Sequence, residues 1–194
     1  MGRPYTLKRR AERQEATRSR IVEAAIELHQ TIGPAATTVT DIAERARVGR
    51  VTVYRHFPDE AALAWACSGL YLERHPPPDV EAWRAIADPG ERLRAGVGEA
   101  YAYHRDTEPM FANVLADARD HEVMAPYHAH WRRAVEVLAA PFRARGARRA
   151  KLEAGIAVAL SFDTWRTLVR ERGLTDEQAA DVAVRLGRGS GSRG

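Results

Sequence analysis

Residues 50–57 of this sequence would place cationic, hydroxyl and aromatic side chains on one side of a short helix. In such a helix, Val53 and Phe57 stand four residues apart and both pack inward. The remaining residues of the segment, Arg50, Thr52, Tyr54, Arg55 and His56, are then left for bases and phosphates. Arg is the commonest reader of guanine edges, and Thr, Tyr and His suit phosphate or methyl contacts. A purely solvated face would more often carry Glu and Lys, so this chemistry favours a nucleic-acid groove.

A second short helix is predicted directly before this segment. Thr38 can cap it, and its apolar side is formed at helical spacing by Ile42, Ala43 and Ala46. Residues 47–49 form a short break between the two helices, and Pro58 stops the second one.

A longer helix precedes both short ones. Thr17 or Ser19 can cap it, Gly33-Pro34 ends it, and its apolar residues are Ile21, Val22, Ala25 and Leu28. Two short helices joined by a three-residue break and resting on a longer helix form the helix-turn-helix arrangement.

Positive charge is concentrated in the same part of the chain. Residues 1–58 contain 11 Lys and Arg against 6 Asp and Glu, whereas the rest of the chain contains 19 against 20. Most of the excess lies in residues 1–20, and a flexible basic arm is predicted over residues 1–16. Clustered cations indicate a polyanionic partner. A solubilising tail would have the same composition, and charge alone leaves both interpretations open.

Helical periodicity continues through the rest of the chain, and Pro76-Pro77-Pro78 marks a boundary. The predicted fold is all-α, with a three-helix head, a larger helical body and about nine helices in total. A cytoplasmic location is expected, because no apolar run reaches the roughly 18 residues of a membrane span and no secretory signal is evident. After the head, helices are predicted at 59–74, 80–87, 91–107, 110–120, 124–145, 150–172 and 175–186.

The residues around the break resemble the TetR family of transcriptional regulators. The resemblance rests on Thr37–Ala46, on Val48 and Arg50, and on the run Thr52–Pro58. It is sharp over about residues 17–70 and looser over the body, where Phe162–Val169 is similar to the last helices of many members. Family members are homodimers that bind pseudo-palindromic DNA and usually repress transcription.

The resemblance implies that Thr38, Tyr54 and His56 touch phosphates, while other residues of the second short helix face base edges. The complete predicted set of DNA contacts is Thr38, Thr40, Arg47, Gly49, Arg50, Val51, Thr52, Tyr54, Arg55 and His56. Three positions depart from the family pattern. Arg47 stands where Gly is frequent, Gly49 replaces a Ser or Thr cap, and Glu60 replaces a phosphate-binding Lys.

Aromatic and soft apolar residues of the body could line a pocket for a small-molecule effector, a site that the resemblance implies. The predicted lining is Tyr101, His104, Met110, Phe111, Trp131 and Trp165. Ordinary core packing would use the same residues, so that alternative stays open. Asp117, His121 and His128 could form a metal site, but Pro126 breaks the register between the two histidines. Neither a metal nor another cofactor is predicted.

The last two predicted helices are apolar on more than one side, and a helix with two apolar faces needs two partners. A homodimer would supply the second partner; a helix fully buried within one chain is the alternative. The predicted dimer interface consists of Leu152, Ile156, Leu160, Phe162, Leu168, Val182 and Leu186.

Together these features predict a sequence-specific DNA-binding regulator, a repressor that an effector releases from its operator. Residues 17–75 form the DNA-binding domain, 79–186 the ligand-binding and dimerisation domain, and 187–194 a disordered tail. The sequence lacks a Gly-rich phosphate loop, GxSxG and HExxH, which predicts that the chain is not an enzyme. A helical enzyme with an incidental basic arm and a nonspecific architectural DNA binder are the alternatives.

Overall fold

Helices make up all the regular structure between residues 3 and 189. The computed structural model describes the backbone over this range and the side chains of residues 8–187. Within this part of the chain, nine α-helices confirm the all-α prediction. Their bounds are α1 Arg3–Thr31, α2 Val39–Ala46, α3 Arg50–His56, α4 Glu60–Arg74, α5 Pro89–Asp117, α6 Ala125–Ala139, α7 Gly146–Leu160, α8 Phe162–Arg166 and α9 Asp176–Gly189.

Three tighter or wider helical turns supplement the α-helices. Ala82–Ala85 and Glu122–Met124 are 3₁₀ turns, and Thr167–Glu171 is a π-helical turn that continues α8. The helix predicted over 80–87 is therefore only a single 3₁₀ turn. Among the described residues, no helix combines the length and the apolar character that crossing a membrane requires.

The chain divides into two compact units. The first runs to Pro76 and also includes Pro109–Val123; the second contains Pro77–Glu108 and continues from Met124. The prediction had placed residues 109–123 in the body. These residues are distant in sequence from the head, and only tertiary packing assigns them to it.

The core of the first unit forms between α1 and α4. The predicted apolar residues of α1, among them Ile21 and Ala25, are fully buried, and Leu63 and Cys67 of α4 are buried as well. Burial raises the pKa of the Cys67 thiol to about 12. The helix 59–74 is confirmed, with Asp59 as its N-cap.

The basic N-terminal segment is helical in its described part, which corrects the prediction of a flexible arm over residues 1–16. The Thr17 hydroxyl donates to the Arg13 carbonyl oxygen (2.9 Å) inside α1, so Thr17 does not cap the helix. Residues 8–16 are exposed, and Arg, Ala, Glu and Gln, which dominate them, have high helix propensity. Local propensity therefore extends the helix well beyond its buried part.

Residues at the end of α5 close the C-terminus of α1. The Asn113 amide donates to two carbonyl oxygens in the last residues of α1, at 3.0 and 3.1 Å. The Asp117 carboxylate accepts from the backbone N–H of Ala35 (3.0 Å). At Gly33, φ is +85°, and a Cβ there would lie 2.5 Å from Asp117 Oδ2. The approach of Asp117 and the backbone conformation both require glycine at this position.

The helix α5 continues through Pro109, which corrects the two helices predicted over 91–107 and 110–120. Proline inside a helix removes one hydrogen bond and costs about 3 kcal/mol. Met110, Phe111 and Leu115, which follow it, are buried. Burying each of these side chains is worth roughly 1.5–3 kcal/mol, which is enough to offset that cost.

Two further boundaries differ from the predictions. Ser161 has extended backbone and accepts from the N–H of Thr164 (3.1 Å), so it interrupts the helix predicted over 150–172. The helix predicted over 124–145 ends at Ala139. Thr175 and Gln178 cap the last helix reciprocally, at the start that was predicted for it. This helix extends to Gly189, and residues 190–194 of the predicted tail lie outside the described residues.

The second unit contains a close approach at Gly96 of α5. A Cβ at Gly96 would lie 2.8 Å from a methyl carbon of Leu138 and 3.3 Å from the Trp83 ring. Leu138 and Trp83 are themselves buried, and the Trp83 indole N–H donates to Glu99 Oε2 (2.9 Å). These side chains therefore have little freedom to move away.

We expect Gly96→Ala to lower the free energy of unfolding by about 1–3 kcal/mol, because overpacking displaces Leu138 or Trp83. Gly98→Ala is the matched control on the same helix, since a Cβ there meets nothing within 4 Å. Replacing Gly by Ala inside a helix should stabilise the protein by about 0.5–1 kcal/mol. Urea unfolding measures both changes. Equal effects of the two substitutions would contradict the close packing at Gly96.

Candidate nucleic-acid interface

The candidate interface begins at the N-terminus of α2. The Thr38 hydroxyl accepts from the Asp41 N–H (3.2 Å), and the Thr38 N–H donates to Asp41 Oδ2 (2.9 Å). These two bonds form a capping box. The Thr38 hydroxyl also donates to Asp41 Oδ2 (2.6 Å), and this bond, together with the one from the Thr38 N–H, holds the pKa of the Asp41 carboxyl below its usual value. Thr38 thus fixes the start of the helix and remains exposed.

The turn between α2 and α3 depends on a left-handed residue. Arg47 has φ +56° and ψ +49°, and it is the only described non-glycine residue with positive φ. The Val48 N–H donates to the Ala43 carbonyl oxygen (2.9 Å), which closes the turn. Gly49 then caps α3 through its backbone alone. Arg47 therefore adopts the strained backbone that a glycine would adopt without cost.

Two side chains hold α3 against the rest of the first unit. Val53 is 2% exposed and Phe57 is 3% exposed, as predicted. The Arg18 guanidinium of α1 lies over the Phe57 ring at 4.9 Å from its centroid. The sequence placed Arg18 only among the clustered cations of residues 1–20; its contact with Phe57 was not predicted, because the two are 39 residues apart and no local pattern links them.

The opposite side of α3 faces outward. Val51 is 73% exposed and Tyr54 is 48% exposed, although both carry large apolar groups. Of the other predicted DNA contacts, Thr52 and His56 are half-buried, and the rest are exposed: Thr38, Thr40, Arg47, Gly49, Arg50 and Arg55. The structure brings all ten to the start of α2, the turn and α3. Such a surface offers cationic, hydroxyl and apolar groups together, as direct reading of bases and phosphates requires.

Ion pairs attach the neighbouring helices to α1. Arg45 of α2 pairs with Glu27, and Arg74 of α4 pairs with Glu23. The bond to Arg74 lowers the pKa of Glu23. All four groups are at least partly exposed, so each pair contributes little to stability. Glu60, the third departure from the family pattern, lies in the first turn of α4, where a helix dipole favours an acid.

The predicted effector residues are divided between the two compact units. Met110 and Phe111 belong to the first unit, where the Phe111 ring packs against Tyr71 at 6.2 Å. The other four, Tyr101, His104, Trp131 and Trp165, belong to the second unit. Around the buried His104 ring lie Tyr101, Tyr103, Trp131, Phe162 and Trp165, with ring centroids 5.1–6.3 Å away. We call these six residues the His104 cluster.

One hydrogen bond and burial together determine the protonation state of His104 in this cluster. The His104 Nε2–H donates to the Leu160 carbonyl oxygen (2.8 Å), since a carbonyl can only accept. Burial lowers the pKa of His104 to about 4, so the ring is neutral at neutral pH and its Nδ1 is an acceptor. Burial also raises the pKa of the Tyr101 phenol.

Most residues of the predicted dimer interface are already buried within one chain. Leu152, Ile156, Leu160 and Phe162 are at most 3% exposed, so they pack the core of the second unit. This corrects their assignment to the interface. Leu186 is 57% exposed, Leu168 and Val182 are half-buried, and Val158, which was not predicted, is 55% exposed. These helices do have two apolar faces, but the face with the strongest periodic pattern packs into the core of the same chain.

No group of three metal-binding side chains occurs among the residues that the structure describes. Asp117, weighed as a ligand in the sequence, instead accepts the hydrogen bond from Ala35.

Comparison with known proteins identifies both parts of the chain. The family model described as "Bacterial regulatory proteins, tetR family" matches residues 21–67. The HTH-type transcriptional regulator TtgR of Pseudomonas putida is 39% identical over 69 residues, which are 36% of this chain and 33% of that protein. The match therefore spans about a third of the length of this relative.

Solved structures resemble the chain over most of its length. The TetR family transcriptional regulator PfmR from Thermus thermophilus has a TM-score of 0.60 at 24% identity, covering 90% of this chain and 97% of that one. LfrR from Mycobacterium smegmatis, a TetR-like regulator solved in complex with proflavine, has a TM-score of 0.51 at 21% identity, covering 93% and 98%. At such identities these likenesses establish the fold. Residues 21–67 therefore match the family model of bacterial tetR-type regulatory proteins, and the chain has the all-helical fold of these solved structures.

Proposed function

We propose that this protein is a sequence-specific DNA-binding transcriptional regulator, and that it represses until a small molecule binds its body. The observation that carries the proposal is the outward face of α3, where Arg50, Val51 and Tyr54 are exposed on a helix held from behind by Val53 and Phe57. An exposed Val and Tyr beside two arginines suit thymine methyls, phosphates and guanine edges.

We assign binding of the small-molecule effector to the second unit. The aromatic residues of the His104 cluster supply the apolar surface and polar atoms from which small-molecule sites are built. The complex of LfrR with proflavine shows that one protein of this fold accepts an aromatic compound. An effector that binds one arrangement of the dimer better than another would shift the population away from the DNA-binding arrangement.

We further propose a homodimer that buries the apolar side chains left accessible on α7, α9 and the π-helical turn, which are Val158, Leu168, Val182 and Leu186. Two copies would place two α3 helices on successive major grooves, roughly 34–36 Å apart, and the preferred site would be a pseudo-palindrome.

Selection of bound duplexes from random DNA tests the DNA-binding proposal. We expect a pseudo-palindromic site, with affinity that falls steeply as salt rises because phosphates dominate the binding. A salt-dependent affinity without a preferred sequence would instead indicate an architectural DNA binder. An enzyme with an incidental basic segment would yield no enriched site.

Two substitutions on α3 separate base reading from phosphate contact on the selected site. Arg50→Ala should cost about 1–3 kcal/mol and relax discrimination at one position of each half-site. Tyr54→Phe should weaken all duplexes to a similar extent. The control, Arg132→Ala, removes the same charge from an exposed position in the second unit. Full operator affinity in both α3 variants, measured by fluorescence anisotropy, would show that α3 does not read the DNA.

The turn residue Arg47 gives an independent test. Arg47→Gly should raise the free energy of unfolding by about 1 kcal/mol, because it relieves the left-handed backbone. It should also reduce the slope of log affinity against log salt by about 1, if Arg47 neutralises one phosphate. Arg47→Lys keeps both the charge and the strain, so neither quantity should change. A glycine variant with unaltered stability would refute the strain.

The dimer proposal is tested by adding charge to the accessible apolar face. Leu186→Lys should convert a dimer to a monomer in sedimentation velocity and abolish the palindromic preference, because each copy would bind alone. Ile32→Lys is the control, since Ile32 is similarly exposed at 49% but lies in the first unit. A Leu186→Lys protein that remains dimeric would exclude this face as the interface.

A further inference from the structure

Three buried polar atoms of the His104 cluster have no hydrogen-bond partner within the described chain. They are His104 Nδ1, the Tyr101 hydroxyl and the Trp131 indole N–H. His104 and Tyr101 are 0% exposed. More than nine-tenths of buried polar groups in proteins are hydrogen-bonded, and leaving one unpaired is costly. Three such atoms on neighbouring rings therefore indicate a partner from outside the chain, either ordered water or a bound ligand.

The chemistry of these atoms is fixed. His104 Nε2 donates to the Leu160 carbonyl oxygen, so Nδ1 of the neutral ring can only accept. The Trp131 indole N–H can only donate, and the Tyr101 hydroxyl can do either. A complementary ligand must therefore offer at least one donor and one acceptor.

The surroundings also set the charge of the ligand. Arg92 is the only charged residue with a buried side chain in the described part of the chain. Its guanidinium donates to the carbonyl oxygens of Ile86 (2.7 Å) and Arg84 (3.1 Å). Backbone acceptors therefore already occupy these N–H donors. Asp176, which accepts from the Trp165 indole N–H (3.1 Å), also pairs with Arg105. Two exposed charged groups also lie near the rings: Arg170, which pairs with Glu108, and Asp163, whose charge acts on His104. A charged ligand buried among these rings would therefore have no buried counter-ion and would lose its hydration.

We propose that the His104 cluster is the effector site and that its ligand is an uncharged aromatic molecule carrying both a hydroxyl group and a hydrogen-bond acceptor such as a carbonyl. The ligand hydroxyl donates to His104 Nδ1 and accepts from the Tyr101 hydroxyl, and the carbonyl oxygen of the ligand accepts from the Trp131 indole N–H. The rings of Phe162 and Trp165 pack against its aromatic part. This inference rests on the proposed sensing function.

The π-helical turn Thr167–Glu171 offers a means of entry. It begins two residues after Trp165, and none of its residues is buried. Such turns are rare and frequently occur at functional sites. On its outer side Arg170 lies over the Trp165 ring (5.2 Å) and forms a two-pronged ion pair with Glu108.

Phenolic ketones test the proposal directly. The probes are 4-hydroxyacetophenone and its two-ring analogue 4-hydroxybenzophenone, added to the full-length protein and followed by calorimetry. Two matched compounds serve as controls: the 4-methoxy ether, which lacks the donor, and 4-hydroxybenzoate, which is charged. We expect at least one phenolic ketone to bind at least tenfold more tightly than its methyl ether and than 4-hydroxybenzoate. The proposal is overturned if neither ketone binds, or if the carboxylate binds as well as the ketones.

Variants locate the binding. Tyr101→Phe and Trp131→Phe should each weaken the ketone at least fivefold, because each removes a polar partner. Tyr101→Phe should leave the melting temperature of the free protein unchanged or raise it, since the hydroxyl has no partner to lose. The control is Trp65→Phe, which alters a 44% exposed tryptophan in the first unit and should leave binding unchanged. Unaltered ketone binding in both cluster variants would overturn the assignment.

Duplex selection on the same preparation separates this inference from the proposed function. A protein that selects a palindrome but binds no ketone would retain the DNA-binding role and lose the ligand assignment. A protein that binds the ketone through Tyr101 and Trp131 but selects no DNA would retain the ligand assignment and lose the DNA-binding role.

Discussion

Burial of Val53 and Phe57 is the constraint on which the rest of the interface depends. α3 has seven residues, and a helix of that length is not stable alone in water. Tertiary packing must therefore both form it and fix its rotation. Once these two residues face inward, Val51 and Arg55 on the opposite side of the helix face outward, and Arg50 is exposed in its first turn. The Arg18 guanidinium over the Phe57 ring extends this packing to α1.

The parts of the fold that the sequence predicts well are those governed by neighbours along the chain. The capping box at Thr38, the break before Arg50 and the stop at Pro58 are all local signals, and the structure has helix boundaries within a residue or two of each. The reciprocal cap at Thr175 belongs to the same class. Each is decided by interactions over three or four residues, which a single sequence contains.

The parts that were wrong are decided by distant packing. Pro109 is a strong local stop, yet the buried residues after it keep α5 helical. Ser161 is a different case, because its cap on Thr164 is a local signal that the apolar periodicity around it obscured. Apolar periodicity identified Leu152 and Ile156 as needing a partner but could not say whether that partner was the same chain. A periodic apolar pattern indicates that a helix face is buried, but it does not indicate which helix or which chain covers that face.

The hydrogen bonds that Asn113 and Asp117 form at the end of α1 determine which segments of this protein could be transferred to another protein together. Those side chains satisfy carbonyl and N–H groups that would otherwise remain unpaired at the end of that helix. The reading head is therefore not a portable module that ends at the triple proline. A chimaera that grafted residues 1–76 onto a foreign sensor would leave behind part of its own scaffold. We therefore expect recombination between relatives to exchange the head and the segment 109–123 together, although the two are separated in the sequence.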